Sequence, residues 1–386
     1  MKKRAISILL TAAAIISLSG CTALFKKEYL SVSQYTEGEY DSYDGYMCEV
    51  SNYAELKAAI FQMVEKHSAE ERIRFTDYDG NMQSDPAQAG WEVKAETALA
   101  SYCVEYMSYD LNRIVTYYEA VIHISYKRNE REIENIISVE DREELEEGIG
   151  LVLAELSDYA AFHIPNAVMT EEDVAQTVYN AYAADPVSCA VLPTVQIQLH
   201  PKSGVFRIVE LELDYGRSVE ELDRLKLELS QRMAELTDAL QKTNKEMFAL
   251  DAYNLLASNC SYDPDGSLRR ERLLDETLSS TAYAALVDGC ADSQGIALAY
   301  SALCRVAGIE CLVVRGSVDK QEHFWNIINV NGSYYHVDVS ADSTWGVGNS
   351  FLMSDEQMQA RCWWNIEDYP ECGKTSGKQQ TNQPQQ

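Results

Sequence analysis

The stretch "HFWNIINVNGSYYHVDVS", residues 323–340, decides the fold. Asn331-Gly332 lies between two strand-like runs, the strongest short-range signal for a two-residue hairpin. Such a turn pairs Val330 with Ser333. Continued outward, that register sets Trp325 opposite Asp338 and His323 opposite Ser340. Side chains alternate faces along a strand, so these four share one face. His323 and Asp338 become diagonal neighbours, roughly 7–8 Å apart at the backbone. An imidazole and a carboxylate can meet across that gap, as a general base and the group that orients it.

The segment before the hairpin reads as a helix and a strand. In "DGCADSQGIALAYSALCRVAGIECLVVRG", residues 288–316, helical spacing predicts a helix over 293–306 with Ile296, Ala297, Tyr300, Leu303 and Cys304 buried. Gly308 fits a C-terminal cap. "IECLVVRG" is continuously apolar, which predicts a strand in a sheet interior.

Three phrases then stand in order: "GCADSQGIA", "HFWN" and "YHVDVS". Together they resemble the transglutaminase-like family of the papain-like cysteine-enzyme superfamily. That family has a cysteine at the start of a helix, a histidine in H-A-W-N and an aspartate in Y-x-V-D-V-T. "AYNLLASNCSYD", "AGIECLVVRG" and "FLMSDEQMQARCWWNIEDYPEC" resemble bacterial members. The resemblance covers about a third of the chain. It implies an α+β fold with a helix packed on an antiparallel sheet, over residues 245–372. It also implies acyl-transfer chemistry, with His323 as base, Asp338 as orienter, and Trp325 and Asn326 supporting the cleft. No cofactor and no metal are expected, since no CxxC, His-rich tract or EF-hand-like acidic loop is present. The family's calcium dependence in some animal members does not carry over, because "DPDG" at 263–266 is better read as a turn.

The nucleophile position departs from the pattern, because Ser293 stands where cysteine is expected. A cysteine at a helix start beside histidine is largely thiolate. A serine hydroxyl stays protonated and needs the histidine during attack. Three readings remain open: Ser293 is a catalytic nucleophile, Asp292 or Ser293 only caps the helix, or Cys290 is a displaced nucleophile. A catalytically silent domain that binds peptide or cell-wall material is the alternative to an enzyme.

Outward from this segment, residues 51–158 and 159–244 read as two small α+β modules. "SVEDREELEEG" from Ser138 and "SVEELDRLKLE" from Ser218 are related phrases 80 residues apart. In the first module, helical patterns cover "NYAELKAAIFQMVEKH" and "WEVKAETALASYCVEYM", and "RIVTYYEAVIHISYKR" is a long strand pattern. His163 and His200 stand alone, which favours structural roles.

The N-terminus carries a basic "MKKR" and an apolar "AISILLTAAAIIS" that ends in "LSGC". Residues 1–21 resemble a bacterial lipoprotein signal. That resemblance implies lipidation at Cys21, a tether over 22–50, and anchoring on the outer face of the cell membrane. Residues 373–386, "GKTSGKQQTNQPQQ" after Cys372, read as a disordered tail. With 61 acidic against 32 basic residues, the formal charge of −29 argues against nucleic acid as a partner. A peptide, a protein or cell-wall material fits better; oligomeric state is open. Besides Cys21 there are nine cysteines, an odd number without disulfide-framework spacing. Cys103, Cys304 and Cys311 read as buried thiols, and Cys362 with Cys372 as a pair able to close a loop.

Overall fold

The computed structural model describes residues 48–165, 168–238, 240, 244–341 and 348–373. The signal segment with Cys21, the tether before Cys48, and the tail beyond Gly373 lie outside the described residues. No helix among the described residues is long and apolar enough to cross a membrane. The chain is mixed α/β and divides into two compact units. Of the described residues, those within 48–148, 159–174 and 196–212 form one, and those within 149–158, 175–195 and 213–373 form the other.

The first unit holds two four-stranded sheets. β1 (Cys48–Asn52), β2 (Glu70–Asp79), β3 (Val104–Arg113) and β4 (Tyr118–Tyr126) form the first, in the order β1-β2-β4-β3. β1 runs parallel to β2, and the other pairs are antiparallel. Between β1 and β2 lies α1 (Tyr53–Glu65). The Asn52 side chain caps it by accepting from the Glu55 N–H at 3.0 Å. Leu56, Ala59, Ile60, Met63 and Val64 recur at helical spacing and are buried. Helices α2 (Asp85–Glu96) and α3 (Ala98–Cys103) follow β2.

Two sequence expectations are corrected here. The helical pattern over 91–107 stops at Cys103, and Val104 begins a strand. The strand expected over 113–128 is broken by a turn, with the Ile114 N–H donating to the Tyr117 carbonyl at 2.8 Å. "VEYMSYDLNR" pairs along its length with β4, and cross-strand pairing outweighs the helical period at its start.

The second sheet has β5 (Ile137–Ser138), β6 (Tyr159–Ile164), β7 (Thr194–His200) and β8 (Arg207–Asp214), in the order β5-β6-β8-β7. In chain order α4 (Arg142–Ala154) follows β5 and α5 (Glu171–Ala184) follows β6, and both helices continue into the second unit. The alternation of strands and helices and the parallel outer pair therefore recur. Ala161 and Ile208 belong to the same apolar cluster as the first sheet's Ile73, Ile122 and Ile124. His200 does not stand alone, as the sequence suggested. Its Nε2 is 2.7 Å from Glu210, which also meets Arg128 and accepts from the Tyr159 hydroxyl at 3.2 Å.

In the second unit α6 (Val219–Asp238) and α7 (Lys245–Asn259) lead to β9 (Ser261–Tyr262). β10 (Cys290–Ala291) pairs with β9 in parallel and runs directly into α8 (Ser293–Val306). β11 (Cys311–Val318), β12 (Gln321–Val330) and β13 (Ser333–Val337) form an antiparallel sheet in that order. β12 is therefore central. β11 is an edge strand, contrary to the interior position expected, and of its residues only Val314 is fully buried. A short stretch around Trp363 covers its free edge: Ser317 and Trp363 exchange backbone bonds of 2.8 and 2.9 Å.

Candidate active site

α8 begins where the sequence predicts. Asp292 is its N-cap, its side chain accepting from the Gly295 N–H at 3.0 Å. Ser280 donates to the same carboxylate. The cap duty thus falls to Asp292, and the reading of Ser293 as the cap is corrected. Gly295 is required by a close approach: a Cβ there would lie 2.7 Å from the Ser279 carbonyl oxygen and 2.8 Å from that of Thr281. Ile296, Ala297, Tyr300, Leu303 and Cys304 are all buried. At the far end Gly308 is left-handed (φ +63°), and the Ile309 N–H returns to the Cys304 carbonyl at 3.0 Å.

The hairpin follows its turn residues. Asn331 (φ 54°) and Gly332 (φ 83°) are both left-handed, as a type I′ turn requires. Val330 pairs with Ser333, and the ladder runs to Asn326 opposite Val337. Beyond it the strands part, and the Asp338 N–H turns to the Ser350 carbonyl at 2.8 Å. The side chains still converge. His323 Nε2 lies 2.8 Å from Asp338 Oδ2. Asp338 Oδ1 accepts from the Ser340 hydroxyl at 2.7 Å and from the Ala341 N–H at 3.1 Å. His323 and Ser293 are 6% exposed and Asp338 1%. A buried carboxylate that meets three donors is fixed in place. With Nε2 committed to Asp338, the imidazole's Nδ1 is the nitrogen left for proton transfer.

Ser293 reaches the same place from the helix side. Its Oγ accepts from the Phe324 N–H at 3.2 Å, the residue next to His323. Among the described residues no hydrogen bond joins Ser293 to His323. Asn326 ties β12 to α8, donating to the Ala297 carbonyl at 3.0 Å. Tyr262 stands edge-on to His323, with ring centroids 6.5 Å apart.

Cys290 turns elsewhere. It is fully buried, with Sγ 3.6 Å from Asp263 Oδ2. Burial and the Asp263 carboxylate both raise its thiol pKa. This neighbourhood was not legible in the sequence. Asp263 accepts from the Leu268 and Arg269 N–H groups at 3.1 and 2.9 Å, consistent with a turn. The Arg269 guanidinium, fully buried, binds the Cys290 carbonyl at 2.7 Å and Asp288 at 2.8 Å. These bonds tie β10 and the Cys290 thiol to Asp263 and Arg269, and they argue against Cys290 as nucleophile.

Trp325 is buried in a cluster with Val314, Ile327, Met353, Met358 and Trp364. Cys362 and Cys372 belong to it as free thiols, so the expected loop closure between them is absent. Among the described residues one group, His336, Asp355 and Cys372, has ligand atoms of metal-site composition within 4.8 Å of one another. It does not fit a metal. His336 Nδ1 accepts from the Trp325 indole at 2.9 Å, so its proton sits on Nε2, 2.9 Å from Asp355. A cation on Nε2 would require the proton on Nδ1, facing the indole N–H.

Residues 232–339 match the family model described as the transglutaminase-like superfamily. No curated protein matches the chain. Among solved structures it is similar to a crystal structure of a TGase, at 12% identity and a TM-score of 0.27, over 51% of this chain and 54% of that one. It is also similar to a candidate protease from Parabacteroides distasonis, at 11% identity and a TM-score of 0.20, over 58% and 49%. Both lie too far away to carry an argument. The motif order and the family match agree on the same segment: over residues 232–339 the chain carries a transglutaminase-like superfamily domain.

Proposed function

We propose that this domain transfers an acyl group from a peptide or isopeptide amide, to water or to an amine, with Ser293 as nucleophile. The observation that carries the reading is the buried His323–Asp338 pair beside a serine that has no capping duty. His323 Nδ1 takes the Ser293 proton as Oγ attacks the carbonyl carbon. Asp338 stabilises the imidazolium through Nε2–H. The Phe324 N–H, already on Oγ, stabilises the negative charge that develops there. The Gly295 N–H is taken by Asp292, so the donors proposed for charge developing at the carbonyl oxygen are the Ser293 and Gln294 N–H groups at the start of α8. The imidazolium then gives its proton to the leaving amine. Water or a second amine attacks the acyl-serine, with His323 again as base.

The test is labelling of the purified protein with a fluorophosphonate, mapped by peptide mass spectrometry. An adduct on Ser293, absent from Ser293→Ala and His323→Ala, supports the reading. A folded protein without adduct favours the second reading, a domain that binds peptide or cell-wall material in the same cleft. The missing hydrogen bond between Ser293 and His323 speaks for it. The substrate class follows from a proposed location on the outer face of the cell membrane, anchored by lipid at Cys21. The mass of the mature N-terminal peptide tests the anchor: an unmodified Cys21 would refute it.

A further inference from the structure

A second histidine–aspartate pair, with His336 buried and Asp355 partly buried, is not used by the proposed chemistry. His336 is fully buried on β13. Its backbone is fixed by reciprocal bonds with Met353, both 2.9 Å. Its Nε2 meets Asp355 Oδ1 at 2.9 Å, and Asp355 Oδ2 accepts from the Cys372 N–H at 2.8 Å. Its Nδ1 accepts from the Trp325 indole at 2.9 Å. Every polar atom in this chain of groups therefore has a defined direction.

The chain ends on the catalytic imidazole. The Trp325 ring stacks on His323 with centroids 6.0 Å apart and an interplanar angle of 27°. Trp364 stands edge-on to both Trp325, at 5.6 Å, and His336, at 4.8 Å. Gly316, opposite His323 in the ladder, leaves room for the indole: a Cβ there would lie 2.5 Å from Trp325 Cη2. The indole cannot rotate without losing its acceptor His336 Nδ1, and His323 cannot leave the indole face without losing contact area.

We infer that His336 and Asp355 are positioning residues for His323, acting through the indole of Trp325. His336 supplies the acceptor that fixes the indole, and Asp355 fixes the His336 tautomer that can accept. The indole in turn holds the His323 ring in the plane that keeps Nε2 on Asp338 and Nδ1 toward Ser293. A ring free to tilt meets the second requirement only part of the time, and a misplacement of about 1 Å costs about 100-fold.

The activity part of this inference rests on the proposed triad, so the decisive measurement is independent of activity. In the ¹⁵N-labelled protein, the His323 Nε2 proton held by Asp338 is followed as a downfield resonance, assigned by its loss in His323→Ala. His336→Leu removes the acceptor. Trp325→Phe keeps a ring but removes the donor. His336→Gln restores both bonds, with its amide oxygen toward the indole and its amide nitrogen toward Asp355. The resonance should persist in His336→Gln and broaden beyond detection in His336→Leu and Trp325→Phe, each folded by circular dichroism. Ser293 labelling should slow about ten- to 100-fold in the same two variants. An intact resonance in folded Trp325→Phe overturns the inference, and that variant decides the matter if His336→Leu does not fold. An unlabelled wild-type Ser293 together with the expected resonance pattern would defeat the proposed function and leave this inference standing.

Discussion

Replacing Ser293 with cysteine tests whether the site is built to activate a nucleophile. An ordinary thiol, with a pKa of about 8.5, is ionised to only about 0.03% at pH 5. At a helix start beside an imidazolium, the pKa falls to the range of about 3.5–7.5. With a value of about 6 the thiolate fraction at pH 5 rises about 300-fold. Nucleophilicity falls with pKa, by about ten-fold over this interval. The net expectation for Ser293→Cys is alkylation by iodoacetamide about 20- to 30-fold faster at pH 5 than an unperturbed thiol. The background is low, because burial pushes Cys48, Cys103, Cys189, Cys260, Cys362 and Cys372 up to about 12. The pH–rate midpoint, read by peptide mass spectrometry, should lie near 6 and move toward 8 when His323→Ala is added, because only the helix terminus then remains. A midpoint near 8.5 that ignores His323→Ala would refute the reasoning, since the helix start and the imidazole would then not act on the 293 side chain.

Asp338→Asn should keep the fold while slowing Ser293 labelling by up to about 10⁴-fold, because an amide no longer selects the His323 tautomer; an unchanged rate would remove Asp338 from the mechanism. Gly316→Ala should cost about 1–3 kcal/mol in denaturant unfolding, since the new Cβ would sit 2.3 Å from the Trp363 carbonyl oxygen. Unaltered stability would mean that this edge is loosely packed. Burial raises the Glu210 pKa, but His200 and Arg128 outweigh it, and the carboxyl is held below its usual value. A depressed folded-state pKa gives stability that is present above the unfolded value, about 4.3, and lost as pH falls through the folded one. Glu210→Gln should therefore flatten the fall in melting temperature below about pH 5, and parallel acid curves for the two proteins would contradict this.

The local parts of the site are legible in the sequence. Period and capping residues locate α8, because its apolar residues recur at helical spacing and Asp292 stands at its start, although the helix is buried nearly all round rather than on the one side expected. Asn331-Gly332 fixes the hairpin register, because only left-handed residues close a two-residue turn that suits twisted strands. That register holds as far as Asn326 opposite Val337, and the His323–Asp338 bond forms beyond the paired residues, where the expected pairing of Trp325 with Asp338 is not made. What depended on distant segments was not legible. Periodicity along β11 reports apolar character but not which strand lies beside it, so an edge strand read as an interior one. The orientation of Cys290 is set by Asp263 and Arg269, 27 and 21 residues away. His200, which stands alone in the sequence, proved to have a carboxylate partner 10 residues distant, and His336, to which the sequence assigned no role, has one 19 residues distant. The sequence alone thus determined the helix, the turn and the order of the three motifs, since these follow from interactions within a few residues. Only the tertiary structure decided which side chains meet, because burial, pairing and the tautomer of a histidine depend on groups the chain brings together from afar.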